Sequence, residues 1–136
     1  MRVDQLARSA ACVEAYAFPF TGAELDFRPL LQGVISDRLR GQDPGEIARG
    51  FQRGVAAGLR DGAIALCHEY ALDTIVLSGG VFQNELLLED VKTLLAAEAL
   101  SVWTNHAVPP NDGGISLGQA ALAAFAPPLL LASPHP

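Results

Sequence analysis

The stretch TIVLSGGVFQNELLLEDV, residues 74–91, decides the fold of this chain. It begins with an apolar run without alternation, which is typical of a strand buried in a parallel sheet. Ser78, Gly79 and Gly80 follow at once, and the apolar spacing after them predicts a helix over 82–98. Two glycines between a strand and a helix indicate either a tight turn or a place where a ligand lies against the backbone.

The segments that follow have the same arrangement. SVWT, residues 101–104, predicts a second strand, and the loop after it contains Asn111-Asp112-Gly113-Gly114 before a helix predicted over 113–125. Because the two strands are joined through a helix, we expect parallel neighbours with a right-handed crossover, so that both loops lie at one sheet edge. Ligands of open α/β sheets bind at that edge, where helix N-termini favour anions.

Polar side chains near these loops are candidate contacts, and each has a structural alternative. Asn84 is by default a capping or solvated residue, and Asp112 is either the N-cap of helix 113–125 or a ligand to a divalent cation. His106 lies six residues from Asp112 and is a candidate ligand or polar contact, whereas His68 and His135 fit a metal site poorly. No spacing of serine, cysteine and histidine indicates a catalytic nucleophile.

The segment before the first strand predicts a long helix over 44–71. Asp43 is the expected N-cap, with Pro44 at the first helical position. A row of glycines, Gly50, Gly54, Gly58 and Gly62, runs beside an apolar row, Ile47, Phe51, Val55, Leu59 and Ala63. Each interior glycine costs roughly 0.5–1 kcal/mol against alanine, so the row indicates that another backbone, in a sheet or helix, packs closely against it.

The remaining segments complete an α/β pattern. Shorter elements are predicted upstream: a helix over 3–13, a strand or extended segment over 14–20, a short strand after the turn that follows, and a helix over 28–41. With 136 residues, half of them hydrophobic, the chain has material for one core. Helices alternating with strands predict an α/β layered fold over residues 1–126, followed by a Pro-rich tail over 127–136.

Composition argues against several classes of function. The net charge is −6 and the basic residues form no run, so this chain is not expected to bind nucleic acid. The apolar stretches are interrupted by charges or by Pro127 and Pro128, so no membrane span is predicted. Cys12 and Cys67 lack metal-ligand or redox spacing, which is typical of thiols in a reduced compartment. With no signal-peptide pattern at the N-terminus, we expect a cytoplasmic protein.

Two motifs resemble a known family. LSGGVFQNELLL and PPNDGGISLGQAALA, with the preceding YAFPFTGAELDFRPLLQGVISDRLRGQDPGEIARGF, resemble the C-terminal region of the HypF carbamoyltransferases that mature nickel-iron hydrogenases. The resemblance covers about residues 14–125. It implies a partial actin and sugar-kinase-like (ribonuclease H-like) lobe, the second of two, with helices packed on a small, mainly parallel sheet.

The resemblance also implies roles for residues. Gly79 and Gly80 would lie against the adenosine of a nucleotide, and Asn84 would contact ATP or carbamoyl adenylate. Asp112 would bind a divalent metal, zinc or iron, whose remaining ligands this chain lacks. The other residues implied in nucleotide binding are Ser78, Gly113 and Gly114.

The implied reaction is ATP-dependent transfer of a carbamoyl group from carbamoyl phosphate, through carbamoyl adenylate, to the C-terminal cysteine of HypE. The partners would be HypE and a chain or domain that supplies the first lobe, and we expect little activity from this chain alone. Two alternatives stay open. One is a non-catalytic, detached or remnant lobe that acts by assembly, with the glycine-row helix as its contact surface. The other is transfer to tRNA or to a small molecule.

Overall fold

The computed structural model describes Ala7, residues 13–109 and residues 111–125. Apart from the helical Ala7, the helix predicted over 3–13 lies almost wholly outside these residues, as do Cys12, His135 and the tail from 127 to 136. Cys67 is buried and free. Within the described residues, no helix combines the length and the apolar character that crossing a membrane requires.

The described elements confirm the α/β class. Four strands and four helices follow one another in the order β1 Phe20–Thr21, β2 Glu24–Leu25, α1 Phe27–Leu39, α2 Pro44–Tyr70, β3 Thr74–Leu77, α3 Glu85–Leu95, β4 Ser101–Thr104 and α4 Ile115–Phe125. Short 3-10 turns, Gly80–Gln83 and Asp112–Gly114, precede α3 and α4. The first two strands form an antiparallel hairpin, and β3 pairs with β4 in parallel.

Helix α2 begins and ends where local chemistry sets its limits. The Asp43 carboxylate accepts hydrogen bonds from the N–H groups of Gly45 and Glu46 at 2.8 and 3.2 Å, which confirms the predicted N-cap. At the other end Ala71 adopts a left-handed conformation, with φ 52°, and its N–H bonds the Cys67 carbonyl. This αL residue terminates the helix one position before the predicted end.

The glycine row of α2 receives the extended segment 14–20. A Cβ atom on Gly54 would lie 2.5 Å from the Tyr16 carbonyl oxygen, and one on Gly58 would lie 2.6 Å from that of Phe18. The predicted close approach of another backbone is therefore confirmed. The partner, however, is a single extended segment rather than a sheet or helix, because Phe20 is the only residue of 14–20 that pairs with another strand among the described residues.

The Tyr16 side chain packs between α1 and α2. Its ring would be 2.7 Å from a Cβ on Gly33 and 3.1 Å from one on Gly50, so it fills the space that both glycines leave. Its hydroxyl donates to the Asp37 carboxylate at 2.6 Å. Burial and this hydrogen bond raise the pKa of Tyr16 to about 12, and the bond, followed by the one from Arg40, lowers the pKa of Asp37.

The core lies on one face of the parallel pair. The buried apolar residues are Ala56, Leu77, Leu87, Val91 and Leu95, from α2, β3 and α3. Ile75 and Val102, which are register partners, pack against them. On the opposite face the register partners Val76 and Trp103 are 65% and 66% exposed. Among the described residues, helices therefore cover one face of this sheet and leave the other open.

The helices after the two loops begin later than the sequence predicts. Helix α3 spans 85–95 instead of 82–98, because a 3-10 turn occupies the first residues after the glycines. Helix α4 likewise begins at Ile115 rather than Gly113, after the second 3-10 turn. Each loop thus delivers a short turn of 3-10 geometry to the sheet edge before its helix starts.

Candidate functional site

The two loops meet at the carboxyl edge of the parallel pair, as the sequence predicts. Leu77 and Thr104 are register partners at the ends of β3 and β4, so the strands finish level with each other. A Cβ atom on Gly80 would lie 3.8 Å from the Cβ of Asn111, which is van der Waals contact across the two loops. Backbone from both loops therefore lines one continuous edge.

The two glycines of the first loop differ in backbone conformation. Gly79 has φ 106° and ψ 159°, a conformation that side-chain-bearing residues rarely adopt. Gly80 lacks a positive φ. Within the described residues, a Cβ on Gly79 would meet no atom within 4 Å, and one on Gly80 would meet only Asn111. Internal packing thus demands neither glycine, and the loop presents bare backbone to the space beyond the sheet.

Asn84 caps α3. Its side-chain oxygen accepts a hydrogen bond from the Leu87 N–H at 3.3 Å, and the residue is half-buried. The capping interpretation is therefore confirmed. Since the cap uses the oxygen, the amide NH₂ group is the part of this side chain suited to donate to a ligand.

The second loop is organised by Asn111, which the sequence analysis did not select. Its side-chain oxygen accepts from the Gly113 N–H at 2.9 Å, and its carbonyl accepts from the Gly114 N–H at 2.9 Å. The prediction that Asp112 is the N-cap of a helix over 113–125 is wrong. A 3-10 turn begins at Asp112, so the residue before that turn makes the cap. An asparagine before Asp-Gly was the available signal.

Gly113 and Gly114 are explained in part by packing. A Cβ on Gly113 would lie 3.0 Å from the Asn111 side-chain oxygen, and one on Gly114 would lie 3.0 Å from the Pro109 carbonyl oxygen. These contacts are tighter than a Cβ ordinarily tolerates. The second loop therefore needs small residues to close on itself, in contrast to Gly79 and Gly80.

Asp112 is exposed, and the described side chains around it do not form a metal site by themselves. Within residues 13–109 and 111–125, no group of three or more His, Cys, Asp and Glu side chains is placed to hold a metal. Zinc and iron sites need three or four protein ligands, of which Asp112 would supply one. His106 makes a local polar contact instead, with its Nε2 3.2 Å from the Thr104 hydroxyl.

The edge offers groups that bind and orient. Backbone of the two 3-10 turns, the Asn84 side chain and the Asp112 carboxylate belong to this edge, and the strands behind it pack on the core. The N–H groups of Gly113 and Gly114 are bonded to Asn111, so the Asn84 amide and the start of the first 3-10 turn are the groups suited to a ligand rich in oxygen acceptors, such as a phosphate ester. Its chemical capacity lies in positioning and electrostatic stabilisation of a bound ligand.

Comparisons with known proteins match the chain over most of its length. A family model described as carbamoyltransferase, Kae1-like domain, second subdomain matches residues 1–119. The chain is 36% identical over 124 residues to the carbamoyltransferase HypF homolog of Cupriavidus necator, covering 89% of this chain and 31% of that protein. It is 35% identical over 105 residues to carbamoyltransferase HypF2 of the same organism, covering 75% of this chain and 12% of that protein.

A solved structure gives the same result. In the crystal structure of full-length HypF in the phosphate- and nucleotide-bound form, a region 32% identical in sequence matches this fold with a TM-score of 0.79. The match covers 89% of this chain and 19% of that one, which confirms the predicted fold class. The chain spans less than a third of the length of each of these three proteins.

Proposed function

The chain belongs to the HypF family of carbamoyltransferases, in which it corresponds to the second subdomain of the Kae1-like domain, and on this premise we propose that it forms half of a nucleotide-binding cleft for carbamoyl transfer. The observation that carries this proposal is the open edge where Gly80 meets Asn111. The solved relative was crystallised with phosphate and nucleotide, which supports a nucleotide as the ligand.

The proposed reaction proceeds through carbamoyl adenylate, made from carbamoyl phosphate and ATP. The thiolate of the C-terminal cysteine of HypE attacks the carbamoyl carbon, so that a C–S bond forms. The bond between that carbon and the phosphate oxygen breaks, and AMP leaves with the electron pair. This chain contributes the placement of the adenylate, since the described edge presents donors that bind and orient an acyl phosphate.

The proposed roles follow from position. Gly79 and Gly80 present backbone against the adenosine, because a side chain on either would project into the open space beyond the loop. Asn84 donates its amide N–H to the nucleotide while its oxygen caps α3. Ser78, Gly113 and Gly114 complete the lining, and the N–H groups of Gly113 and Gly114 hold the second loop in shape by donating to Asn111.

A metal would need ligands from outside the described residues. We propose that Asp112 would contribute one oxygen ligand to zinc or iron, whose positive charge would stabilise the phosphate of the adenylate. We expect little activity from this chain until a polypeptide that carries the first lobe is supplied.

Calorimetric titration of ATP into the full 136-residue chain, with and without zinc, tests this function. We expect saturable binding that Asn84→Ala weakens, and a zinc-dependent increase that Asp112→Asn abolishes. Asp73→Asn is the matched control, because Asp73 is an exposed carboxylate beside the first residue of β3, at the opposite end of the sheet. A folded chain that binds no ATP, or binding that Asp112→Asn and Asp73→Asn weaken equally, contradicts the proposal.

The acceptor is tested separately. We expect immobilised HypE to retain this chain together with a polypeptide that carries the first lobe, and transfer RNA to give no saturable binding. Retention that disappears when the C-terminal cysteine of HypE is replaced by serine ties the interaction to the proposed acceptor. Binding of tRNA without HypE favours threonylcarbamoyl transfer instead.

A further inference from the structure

A half-buried ion pair joins α2 to α3. Both terminal nitrogens of Arg49 donate to the Asp90 carboxylate: Nη2 lies 2.9 Å from Oδ1, and Nη1 bonds Oδ2. The two side chains are only 18% and 19% exposed, and the residues are 41 positions apart in sequence. By comparison, local ion pairs between residues at most three positions apart are Asp26–Arg28, Asp37–Arg40 and Arg60–Asp61.

Burial makes such a pair a weak contributor to the free energy of unfolding. The cost of removing two charges from water largely cancels their attraction, and apolar residues of similar volume often replace a buried pair without loss of stability. What the pair adds is direction, because a bidentate contact between guanidinium and carboxylate has one planar geometry. The contact between Arg49 and Asp90 therefore fixes how α3 is shifted and rotated on α2.

The apolar contacts between the two helices do not supply this constraint. Ala56, Val91 and Leu95 pack in the core, but apolar burial has no preferred direction. Beside the ion pair the helices leave a hollow of about 190 Å³, whose lining includes Ala57 and Leu94. The small side chains of α2 thus leave room for α3 to shift at this part of the interface, where the ion pair lies.

The same ion pair lies close to the ligand edge along α3. Asp90 follows Asn84 by six residues, which is about 9 Å of helix rise. Asn84 ends the 3-10 turn that begins at Gly80, and its side chain caps α3. The Asn84 N–H also bonds the Val81 carbonyl within that turn. A shift of α3 on α2 would therefore move Asn84 and the turn together.

We propose that Arg49 and Asp90 are positioning residues for nucleotide binding. Their ion pair sets the register of α3 on α2 and thereby holds the Asn84 amide and the Gly80–Gln83 turn in place at the ligand edge. Neither side chain needs to touch the nucleotide, because both act through Asn84. This inference rests on the proposed function, in which that edge binds the nucleotide.

Replacing both residues by leucine, Arg49→Leu with Asp90→Leu, separates positioning from stability in the full 136-residue chain. The double change leaves the net charge at −6. We expect a midpoint of urea unfolding equal to that of the wild type or higher, but ATP binding about tenfold weaker by calorimetry. The titration is made at a temperature at which circular dichroism shows both chains folded, so a merely structural role predicts unchanged ATP affinity.

Hydrogen exchange gives a second readout that does not need ATP. The Phe82 N–H bonds the Gly79 carbonyl, and the Leu87 N–H bonds the Asn84 side chain. We expect both amides to exchange faster in the double variant, because the turn and the first turn of α3 lose their fixed position. A merely structural role predicts wild-type exchange at both amides in a variant that is equally stable.

The chain offers a matched pair of single variants. Arg49→Lys keeps the charge but not the bidentate geometry, so it should also weaken ATP binding. Arg28→Lys is the control, since Arg28 likewise donates twice to a carboxylate, that of Asp26, but within the exposed start of α1. It should leave ATP binding unchanged. Equal weakening by the two lysine variants overturns the inference, and Arg49→Lys decides if the double variant does not fold.

The remaining outcomes separate this inference from the proposed function. ATP binding of wild-type strength in both Arg49 variants overturns the positioning role and leaves the proposed function standing. A wild-type chain that binds no ATP contradicts the proposed function. In that case, faster exchange at Phe82 and Leu87 in the Arg49 variants still supports the positioning of the turn, whereas unchanged exchange overturns it.

Discussion

Two glycine-rich regions of this molecule use the same residue for opposite purposes. Along α2 another segment of the chain occupies the space beside the glycines. The carbonyl oxygens of Tyr16 and Phe18 lie within 2.6 Å of where Cβ atoms on Gly54 and Gly58 would be. At the end of β3 the situation is reversed. A Cβ on Gly79 would meet no described atom within 4 Å, and one on Gly80 would make one ordinary contact.

The difference teaches what a glycine pattern can and cannot indicate. In α2 the space left by glycine is occupied within the chain, so those residues stabilise the fold. In the loop the space is open, so the need for glycine arises from the backbone conformation at Gly79 and, in our proposal, from a ligand at Gly80. The former effect is measured as stability and the latter as binding.

The largest expected effect is from Gly54→Ala. The added methyl would lie 2.5 Å from a backbone oxygen and 2.7 Å from Leu30 Cδ1. The clash outweighs the gain in helix propensity, and we expect a loss of about 2 kcal/mol in the free energy of unfolding, measured with urea. Gly118→Ala in α4 is the control, because its Cβ meets no described atom within 4 Å. If both variants are equally stable, the glycine row is not a packing feature.

Tyr16→Phe should have a smaller effect, about 1 kcal/mol, since it removes one hydrogen bond but keeps the ring between α1 and α2. The pKa of Tyr16 is raised from 10.0 to about 12 in the folded chain, so this stabilisation is complete below pH 10 and is lost as the pH rises toward 12. The Tyr16→Phe variant should lack that alkaline loss. An identical pH profile for both chains contradicts the assigned interaction.

Stability at low pH tests Asp37, which accepts the same hydrogen bond. The pKa of Asp37 is lowered from 3.8, chiefly by the Tyr16 hydroxyl, so its contribution is present above that pH and is lost as the pH falls below it. Asp37→Asn should flatten the loss of stability in this acid range, measured by thermal unfolding at a series of pH values. A wild-type chain whose melting temperature does not fall there disproves the linkage.

Asn84 separates capping from binding in the loop region. Asn84→Ala should cost the helix cap, about 1 kcal/mol, whereas Asn84→Ser keeps a capping oxygen and should cost less. Both variants lack the amide, so both should weaken ATP binding if that group contacts the nucleotide. Binding that survives in Asn84→Ser limits the residue to its structural role.

The smallest effect on stability is expected from Gly80→Ala. Its backbone does not need a positive φ, and the methyl would lie 3.8 Å from Asn111 Cβ, so the free energy of unfolding should change by less than about 0.5 kcal/mol. ATP binding should nevertheless fall, because the methyl projects toward the proposed adenosine. If calorimetry shows unchanged ATP binding, Gly80 is not needed for the ligand and the proposed role of this loop is wrong.

The sequence by itself determined the local elements and the family. The parallel strands at residues 74–77 and 101–104, the Asp43 cap and the close approach to the glycine row all follow from patterns within a few residues. The meeting of the two loops followed from connectivity, because strands joined through a helix end at the same edge. These features depend on short-range periodicity and chain geometry, which the sequence records directly.

Only the tertiary structure decided what occupies or covers these elements. It placed the extended segment 14–20 on the glycine row of α2, so that row is covered from within the chain. It gave the second cap to Asn111 instead of Asp112, and it left Val76 and Trp103 exposed on one face of the parallel pair. Such outcomes depend on which distant groups compete for one space, and no local pattern encodes that competition.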